Sequence, residues 1–188
     1  MDQAQQWVEQ ARQGDRHAFR RLVEAQARPL FTLCARITRD AALAEDAVQE
    51  ALFNAWKHLR DFDGRASFTT WLHRIAVNAA LEQLRRRNQR EVATTDLGDD
   101  EDDGDFLDTR VDAGPGPEHH ARSGEIAQRV RAQLERMTVL ERSAFVLRHH
   151  EGRSMEEISS ALSLNISACK QAVFRAVRKL RGALEPLR

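Results

Sequence analysis

The chain has 188 residues, of which 41% are hydrophobic and 31% charged, and its 29 basic and 29 acidic side chains leave no net charge. That length fits one large or two small domains, and neither a long apolar run nor an N-terminal signal pattern is present. The two cysteines, Cys34 and Cys169, lie far apart in helix-like sequence, which argues against a disulfide framework and a zinc site. We therefore expect a soluble, cytoplasmic protein without membrane insertion.

The charges are unevenly distributed along the chain. Residues 1–93 carry 15 basic and 12 acidic side chains, a net +3, and residues 122–188 carry 13 and 7, a net +6. Residues 94–121 carry one basic and ten acidic side chains, a net −9. Two basic modules around an acidic segment are typical of a protein with a polyanionic partner, although an ordinary solvated surface gives the same balance.

Residues 1–93 are predicted to form a four-helix bundle. A good capping residue precedes each predicted helix: Asp2, Asp15, Asp40 and Ser67. Gly14 ends the first helix, and Pro29 predicts a kink or break within the second. The loop Arg60–Ala66, with Gly64 as the helix breaker, separates the third helix from the fourth.

Residues 94–120 are rich in acids, glycine and proline and show no periodicity, so an acidic, flexible linker is expected. Residues 121–188 restore helical periodicity. The predicted helices there are Ala121–Met137, Val139–His150, a helix capped by Ser154 that ends at Leu162, and Ile166–Leu184. Ser154 and Glu157 form a capping box, and a three-residue turn with Asn165 as the next cap follows Leu162. A short helix, a tight turn and a longer basic helix predict a helix-turn-helix.

The final helix is predicted to carry an outward polar face. Its members are Ser167, Lys170, Gln171, Phe174, Arg175 and Arg178. Arginine can pair with guanine, glutamine with adenine, and an exposed phenylalanine can pack on a thymine methyl group. This face therefore suits a recognition helix, and the alternative is a solvated basic helix with Phe174 in the core.

The predicted fourth helix carries a second polar stripe, preceded by an aromatic and basic loop. The stripe comprises Thr70, Arg74, Asn78 and Arg85, with His73 beside it, and the loop contributes Phe62, Arg65 and Ser67. Such groups can hold unstacked bases and duplex phosphates. Two alternatives stay open: Phe62 caps the bundle core, and Arg85–Arg87 merely complement the helix dipole.

The predicted third helix has a face of opposite sign, here called the acidic face. It consists of Glu45, Asp46, Gln49, Glu50 and Asn54. An acidic face repels DNA and suits a basic protein partner, although a solvated surface is the plainer interpretation. No glycine-rich phosphate loop, nucleophile elbow or metal-binding histidine motif is present. We expect no enzymatic activity, no cofactor and no metal.

Three segments in order resemble a known family. ALAEDAVQEALFNAW (42–56) is similar to the core-binding segment of extracytoplasmic-function sigma factors of the sigma-70 family. FDGRASFTTWLHRIAVN (62–78) resembles that family's promoter-melting segment, and MEEISSALSLNISACKQAVFRAVRKL (155–180) its promoter-reading helix-turn-helix. The resemblance implies an all-α protein with two small helical domains, region 2 at 1–93 and region 4 at 121–188, joined by the acidic linker.

The resemblance also implies roles for particular residues. The acidic face would dock on the clamp helices of the largest subunit of core RNA polymerase, with the polymerase flap as a further contact. The unstacked non-template strand of the −10 element would be held by Phe62, Arg65, Ser67, Phe68, Thr70, His73, Arg74, Asn78 and Arg85. The outward face of the final helix would read the −35 element of promoter DNA. An anti-sigma factor is a further partner that the resemblance implies, and polymerase binding is expected without phosphorylation.

The chain departs from the family pattern at a few positions. Alanine at 168 replaces a threonine, and Ala172 and Val77 stand where basic residues are common, so fewer phosphate contacts are expected. Thr138 replaces a proline, which leaves that helix boundary open. Two other functions also stay open: a stand-alone helix-turn-helix regulator that never contacts polymerase, and an N-terminal bundle that sequesters a protein partner.

Overall fold

The structure is a computed structural model that describes residues 3–94, 129–130 and 132–184. The chain divides between Asp102 and Asp103 into two compact units. All regular structure in the described ranges is helical, so the predicted all-α class is confirmed. The predicted linker lies outside the described residues except for Thr94, and so does the beginning of the helix predicted from Ala121.

The N-terminal unit is built from helices whose caps were largely readable in the sequence. They are α1 (Gln3–Arg12), α2 (Arg16–Glu24), α3 (Ala27–Thr38), α4 (Ala41–His58) and α5 (Phe68–Thr94). The Asp15 carboxylate accepts hydrogen bonds from the amides of His17 and Ala18, and that of Asp40 accepts one from the Leu43 amide. These bonds satisfy amide groups that the first helical turn leaves without a partner.

The second predicted helix is in fact two helices. The chain leaves α2 after Glu24 and re-enters a helix at Ala27, so Pro29 lies in the first turn of α3. Proline is tolerated there because the amide it lacks has no partner within the helix. The break therefore occurs one turn earlier than a proline inside a helix would place it. The described N-terminal residues form five α-helices instead of four, with a 3-10 turn at Leu59–Asp61 after α4.

Small residues let α4 pack closely in the bundle. Four alanines of α4 are fully buried: Ala44, Ala47, Ala51 and Ala55. They recur at helical spacing, and α4 packs against both α3 and α5. The larger buried side chains come from those neighbours, Leu30, Leu33 and Ile37 on α3 and Leu72 and Val77 on α5. Because one side of α4 is occupied by this packing, its opposite side is left for solvent or a partner.

The C-terminal unit contains the predicted helix-turn-helix. Its helices are α6 (Val139–Phe145), which continues as a π-helical turn at Val146–His150, then α7 (Met155–Leu162) and α8 (Ile166–Leu184). The capping box of Ser154 and Glu157 is confirmed. A second capping box, Thr138 with Glu141, begins α6, so the threonine that replaces the family's proline starts this helix through its side chain.

The turn between α7 and α8 is tight and locally stabilised. Ser163 has φ +53°, the left-handed conformation that usually favours glycine or asparagine. Asn165 accepts a hydrogen bond from the Ala168 amide at 2.8 Å and so caps α8 as predicted. Among the helices that the structure describes, none is both long and apolar enough to span a membrane.

Candidate protein and nucleic-acid interfaces

The side of α4 that faces away from the core combines acids with an exposed aromatic ring. Asp46 and Gln49 are exposed at the centre of this side, and Glu45 is exposed at its edge. Phe53 follows at helical spacing and is 67% exposed. The sequence-based prediction missed Phe53, although its position seven residues after Asp46 places both on one side of the helix. Because aromatic residues are enriched at protein–protein interfaces, this side of α4 is a candidate protein-binding surface.

Glu50, by contrast, is partly engaged within the bundle. Its carboxylate accepts a hydrogen bond from Gln83 at 2.9 Å and forms an ion pair with Arg86 at 3.2 Å. Asn54 is half-buried on the same side of α4. Glu50 and Asn54 therefore lie at the border between the acidic face and α5.

The α5 stripe is exposed in its middle and paired near its end. Arg74 and Asn78 are exposed, one turn apart. Arg85 is exposed and lies 3.5 Å from Glu82. Arg86 and Arg87 are held by carboxylates of neighbouring elements, Arg87 by Asp40 at 3.6 Å. Of the three consecutive arginines, Arg85 is thus the one whose ion pair lies within its own helix, so its side chain is the least constrained.

The loop before α5 is ordered by its own polar groups. The Arg65 amide donates to the Asp63 carboxylate at 3.0 Å, and the Arg65 guanidinium pairs with the same carboxylate. The hydrogen bond from the Arg65 backbone amide, followed by those from its side chain, lowers the pKa of Asp63. The Ser67 hydroxyl accepts from the Thr70 amide at 3.1 Å and lies 2.9 Å from the Thr70 hydroxyl. Ser67 therefore caps α5, as the sequence predicts.

Two predicted base-contacting residues are buried. Phe62 is 7% exposed and packs against the rings of Phe68 and Trp71, with centroids 6.2 and 5.1 Å away. His73 is 6% exposed. Neither side chain presents a face to a nucleic acid in this conformation, because the apolar surface of Phe62 is used in the core. We correct the sequence-based assignment: Phe62 belongs to the bundle core, with Phe68 half-buried beside it, and His73 belongs to the buried side of α5.

A cleft of about 580 Å³ borders this loop, and α1 and α2 form its opposite wall. Trp7 of α1 and Arg21 of α2 line this cleft, and the Arg21 guanidinium lies 5.7 Å from the centre of the Trp7 ring. Arg65, Ser67 and Thr69 line the side of the loop and of α5. The cleft is within the ordinary size range of small-molecule pockets, roughly 300–1,000 Å³, and it combines aromatic, cationic and hydroxyl groups.

The predicted outward face of α8 is exposed throughout. Ser167, Lys170, Gln171, Phe174, Arg175 and Arg178 all lie on the surface, and Phe174 is 67% exposed. The alternative that placed Phe174 in the core is wrong. The buried side of α8 includes Cys169 and Ala172, both at 0% exposure.

The departures at positions 77 and 172 do not remove surface cations. Val77 and Ala172 are both fully buried, so a basic residue at either site would face the core. The expectation of fewer phosphate contacts from these two substitutions is therefore wrong. Their small apolar side chains are explained by packing.

The described residues contain no group of three or more histidine, cysteine, aspartate or glutamate side chains that could hold a metal ion. Cys34 is fully buried, and burial raises the pKa of its thiol to about 12. Because the thiolate is the reactive form, this cysteine is an inert core residue.

Two family descriptions match the two units. Residues 22–90 match Sigma-70 region 2, and residues 127–180 match Sigma-70, region 4. The chain is 32% identical over 188 residues to the RNA polymerase sigma-H factor of Pseudomonas aeruginosa, covering 99% of this chain and 96% of the relative. It is 30% identical over 184 residues to the ECF RNA polymerase sigma-E factor of Escherichia coli K12, covering 96% and 93%.

Solved structures show the same fold. CnrH, solved in complex with the cytosolic domain of CnrY, matches with a TM-score of 0.61 and 22% identity over 96% of both chains. RpoE of Bartonella quintana, solved with the anti-sigma factor NepR, matches with a TM-score of 0.64 and 22% identity over 89% of this chain and 96% of that one. The chain thus belongs to the extracytoplasmic-function type of the sigma-70 family: it is a non-enzymatic sigma factor that binds core RNA polymerase and promoter DNA and initiates transcription.

Proposed function

We propose that the N-terminal unit binds core polymerase through the α4 docking surface, which we define as Asp46, Gln49 and Phe53. The exposed row of an acid, an amide and an aromatic ring on the side of α4 away from the core is the observation that carries this proposal. The partner that fits is a basic surface with an apolar centre, on the clamp helices of the largest subunit. Glu45, Glu50 and Asn54 form the rim of the contact.

The same unit holds the unpaired −10 strand on its other exposed groups. Arg74 and Asn78 on α5 provide a cation and an amide for the strand, and Arg65 provides a second cation from the loop. The cleft between the loop and α1–α2 can receive a base that has left the stack, since aromatic and hydroxyl groups line it. Thr70 and Ser67 contact the strand from the cap of α5, and Arg85 contacts a phosphate further along the helix.

The C-terminal unit reads the −35 element with the outward face of α8. Lys170, Gln171 and Arg175 face outward with Phe174 between them, which gives hydrogen-bonding and apolar groups on one side of the helix. An α-helix fits the major groove, where each base pair presents its own pattern of donors, acceptors and methyl groups. Ser167 and Arg178 extend this face and contact the phosphates at its ends.

Control by an anti-sigma factor completes the proposal. The Bartonella quintana neighbour was solved with an anti-sigma factor, and CnrH with the cytosolic domain of CnrY. Both the α4 docking surface and the α8 face are exposed here, so a partner that covers either one would compete with polymerase or DNA. We place this activity in the cytoplasm, where core polymerase works.

The docking proposal is tested by titrating core polymerase into the full-length chain carrying an N-terminal fluorophore. We expect Asp46→Arg to weaken binding at least tenfold, because like charges at an interface cost several kcal/mol. Glu24→Arg is the matched control: Glu24 is an exposed acid on α2 whose pair with Arg20 is also exposed. Equal affinities of the Asp46→Arg variant and wild type would refute the α4 docking surface. Duplex DNA binding without polymerase binding would instead favour a stand-alone regulator.

A further inference from the structure

One buried carboxylate joins α6 to the recognition helix. Glu141 is 5% exposed, although charged residues are rarely buried unless they are paired. Its Oε2 atom accepts hydrogen bonds from the Thr138 amide at 3.1 Å and from Lys179 Nζ at 2.5 Å. Its Oε1 atom lies 3.5 Å from Arg175 Nε. A single carboxylate thus begins α6 and holds two cations of α8.

The ionised form of Glu141 is the one that this site accommodates. Burial raises the pKa of its carboxyl, but the hydrogen bonds from Lys179 and Thr138 outweigh that effect and lower the pKa overall. The carboxylate is therefore charged at neutral pH, and it attracts both Arg175 and Lys179. Separating a buried charge from its partners is strongly destabilising, so Glu141 and its partners are held in one conformation.

Arg175 and Lys179 lie on the same side of α8 but differ in which hydrogen-bond donors remain available. Arg175 and Lys179 are one turn apart, with side chains 55% and 37% exposed. Because Glu141 contacts Arg175 through Nε, the two terminal guanidinium nitrogens stay available as a fork of donors. Lys179 has only its ammonium group, and one of that group's three N–H donors is bound to Glu141.

We propose that Glu141 is a positioning residue for promoter reading: it orients the Arg175 guanidinium towards the −35 element and withholds Lys179 from the DNA phosphates. This inference rests on the proposed role of α8 at the −35 element. A mobile cation attracts any phosphate and adds affinity without sequence information. An arginine held at Nε presents its terminal nitrogens in the fixed geometry that a bidentate contact with guanine requires.

The test uses holoenzyme reconstituted from core polymerase and the full-length chain. A duplex library randomised across the −35 region is selected on wild-type holoenzyme, and the affinities for the selected duplex and a scrambled duplex are then measured at several KCl concentrations. Glu141→Gln is the informative variant, because glutamine also serves at this position of a capping box while the charge is lost. Thr138→Ala is the matched control, since it weakens the cap and leaves both cations facing a carboxylate.

For Glu141→Gln we expect the ratio of selected to scrambled affinity to fall about tenfold, in the range of one good bidentate base contact. The dependence of log affinity on log salt should steepen by about 0.9 for each cation released onto a phosphate. Thr138→Ala should leave both quantities near wild type. In an Arg175→Ala background, Glu141→Gln should have little further effect on the ratio.

The possible failures are distinguishable. A library that yields no −35 motif would overturn the proposed role of α8 and this inference with it. A motif that depends on Arg175 but tolerates Glu141→Gln would overturn the positioning role alone. An equal loss of affinity for both duplexes, with unchanged salt dependence and a thermal stability matching that of Thr138→Ala, would show that Glu141 is purely structural and would likewise overturn it.

Discussion

Glu50 on α4 and Arg86 on α5 form an ion pair 3.2 Å long between residues 36 positions apart in sequence. Gln83 donates a further hydrogen bond to the same carboxylate at 2.9 Å. Part of the acidic face is therefore committed to holding the bundle together. Asp46 is exposed on the same helix and is the better residue for probing polymerase contact.

The two acids should differ in their effect on stability. We predict that Glu50→Ala lowers the free energy of unfolding by about 1 kcal/mol, since it removes a partly exposed ion pair and a hydrogen bond. Asp46→Ala should stay within about 0.5 kcal/mol of wild type, as is usual for surface positions. Urea titration followed by tryptophan fluorescence measures this, because Trp7, Trp56 and Trp71 all lie in the N-terminal unit. Equal effects of the two substitutions would argue against the Glu50–Arg86 link.

Phe53 and Phe174 provide a matched pair of exposed aromatic residues, each 67% exposed. We predict that Phe53→Ala weakens core polymerase binding about 5- to 30-fold, as expected for an aromatic residue at the centre of an interface. Phe174→Ala should leave that affinity unchanged and weaken binding of −35 duplex by the holoenzyme. The reverse pattern, or no effect of either substitution, would contradict the assignment of the two surfaces.

Strand capture should depend on Arg74 and Asn78. On a promoter mapped for this sigma factor, we predict that Arg74→Ala and Asn78→Ala each slow promoter opening about tenfold, the cost of roughly one contact to a base or phosphate. Opening is followed by 2-aminopurine fluorescence in the −10 element, with core binding measured in parallel. Arg28→Ala, at an exposed arginine on α3, is the control. Loss of core binding together with opening would place Arg74 and Asn78 in the wrong interface.

The network around Glu141 predicts a pH dependence of stability. Its pKa lies below the ordinary value of 4.5, so its charged contacts stabilise the folded chain above that pH and are lost as pH falls through the folded-state pKa. We predict that Glu141→Gln costs about 1–3 kcal/mol at pH 7, the range for hydrogen bonds to charged groups, and progressively less in acid. Methyl NMR signals of Ala144 and Ala176 report unfolding of this unit. A cost that is the same at pH 3.5 as at pH 7 would contradict the role of the charge.

Local chemistry made much of the fold predictable. Asp15, Asp40, Ser67 and Ser154 cap their helices as expected, because a capping residue acts within three positions of itself. The capping box of Thr138 and Glu141 is equally readable as a T-x-x-E pattern at the boundary of α6.

What the sequence did not predict depends on packing between distant segments. Phe62 is an aromatic residue of the type that stacks on bases, and its burial follows from its place in a core cluster with Ala11, Ala18 and Leu22 of α1 and α2. Helical spacing from Asp46 places Phe53 on the acidic side of α4, and the packing of α4 on α3 and α5 shows that this side faces outward. Likewise, the α8 face was predicted correctly from periodicity, whereas its contact with Glu141 requires the packing of α6 on α8.

This sigma factor directs core polymerase to promoters, and we propose that it does so through the α4 docking surface. The most direct test is run-off transcription on fragmented genomic DNA of the source organism, with core polymerase and either wild-type or Asp46→Arg protein, followed by sequencing of RNA 5′ ends. We predict that wild type produces a set of 5′ ends that share −35 and −10 motifs, and that Asp46→Arg loses them while Glu24→Arg keeps them. If wild type adds no 5′ ends to those of core polymerase alone, or if Asp46→Arg reproduces the full set, the proposed role of the α4 docking surface is contradicted.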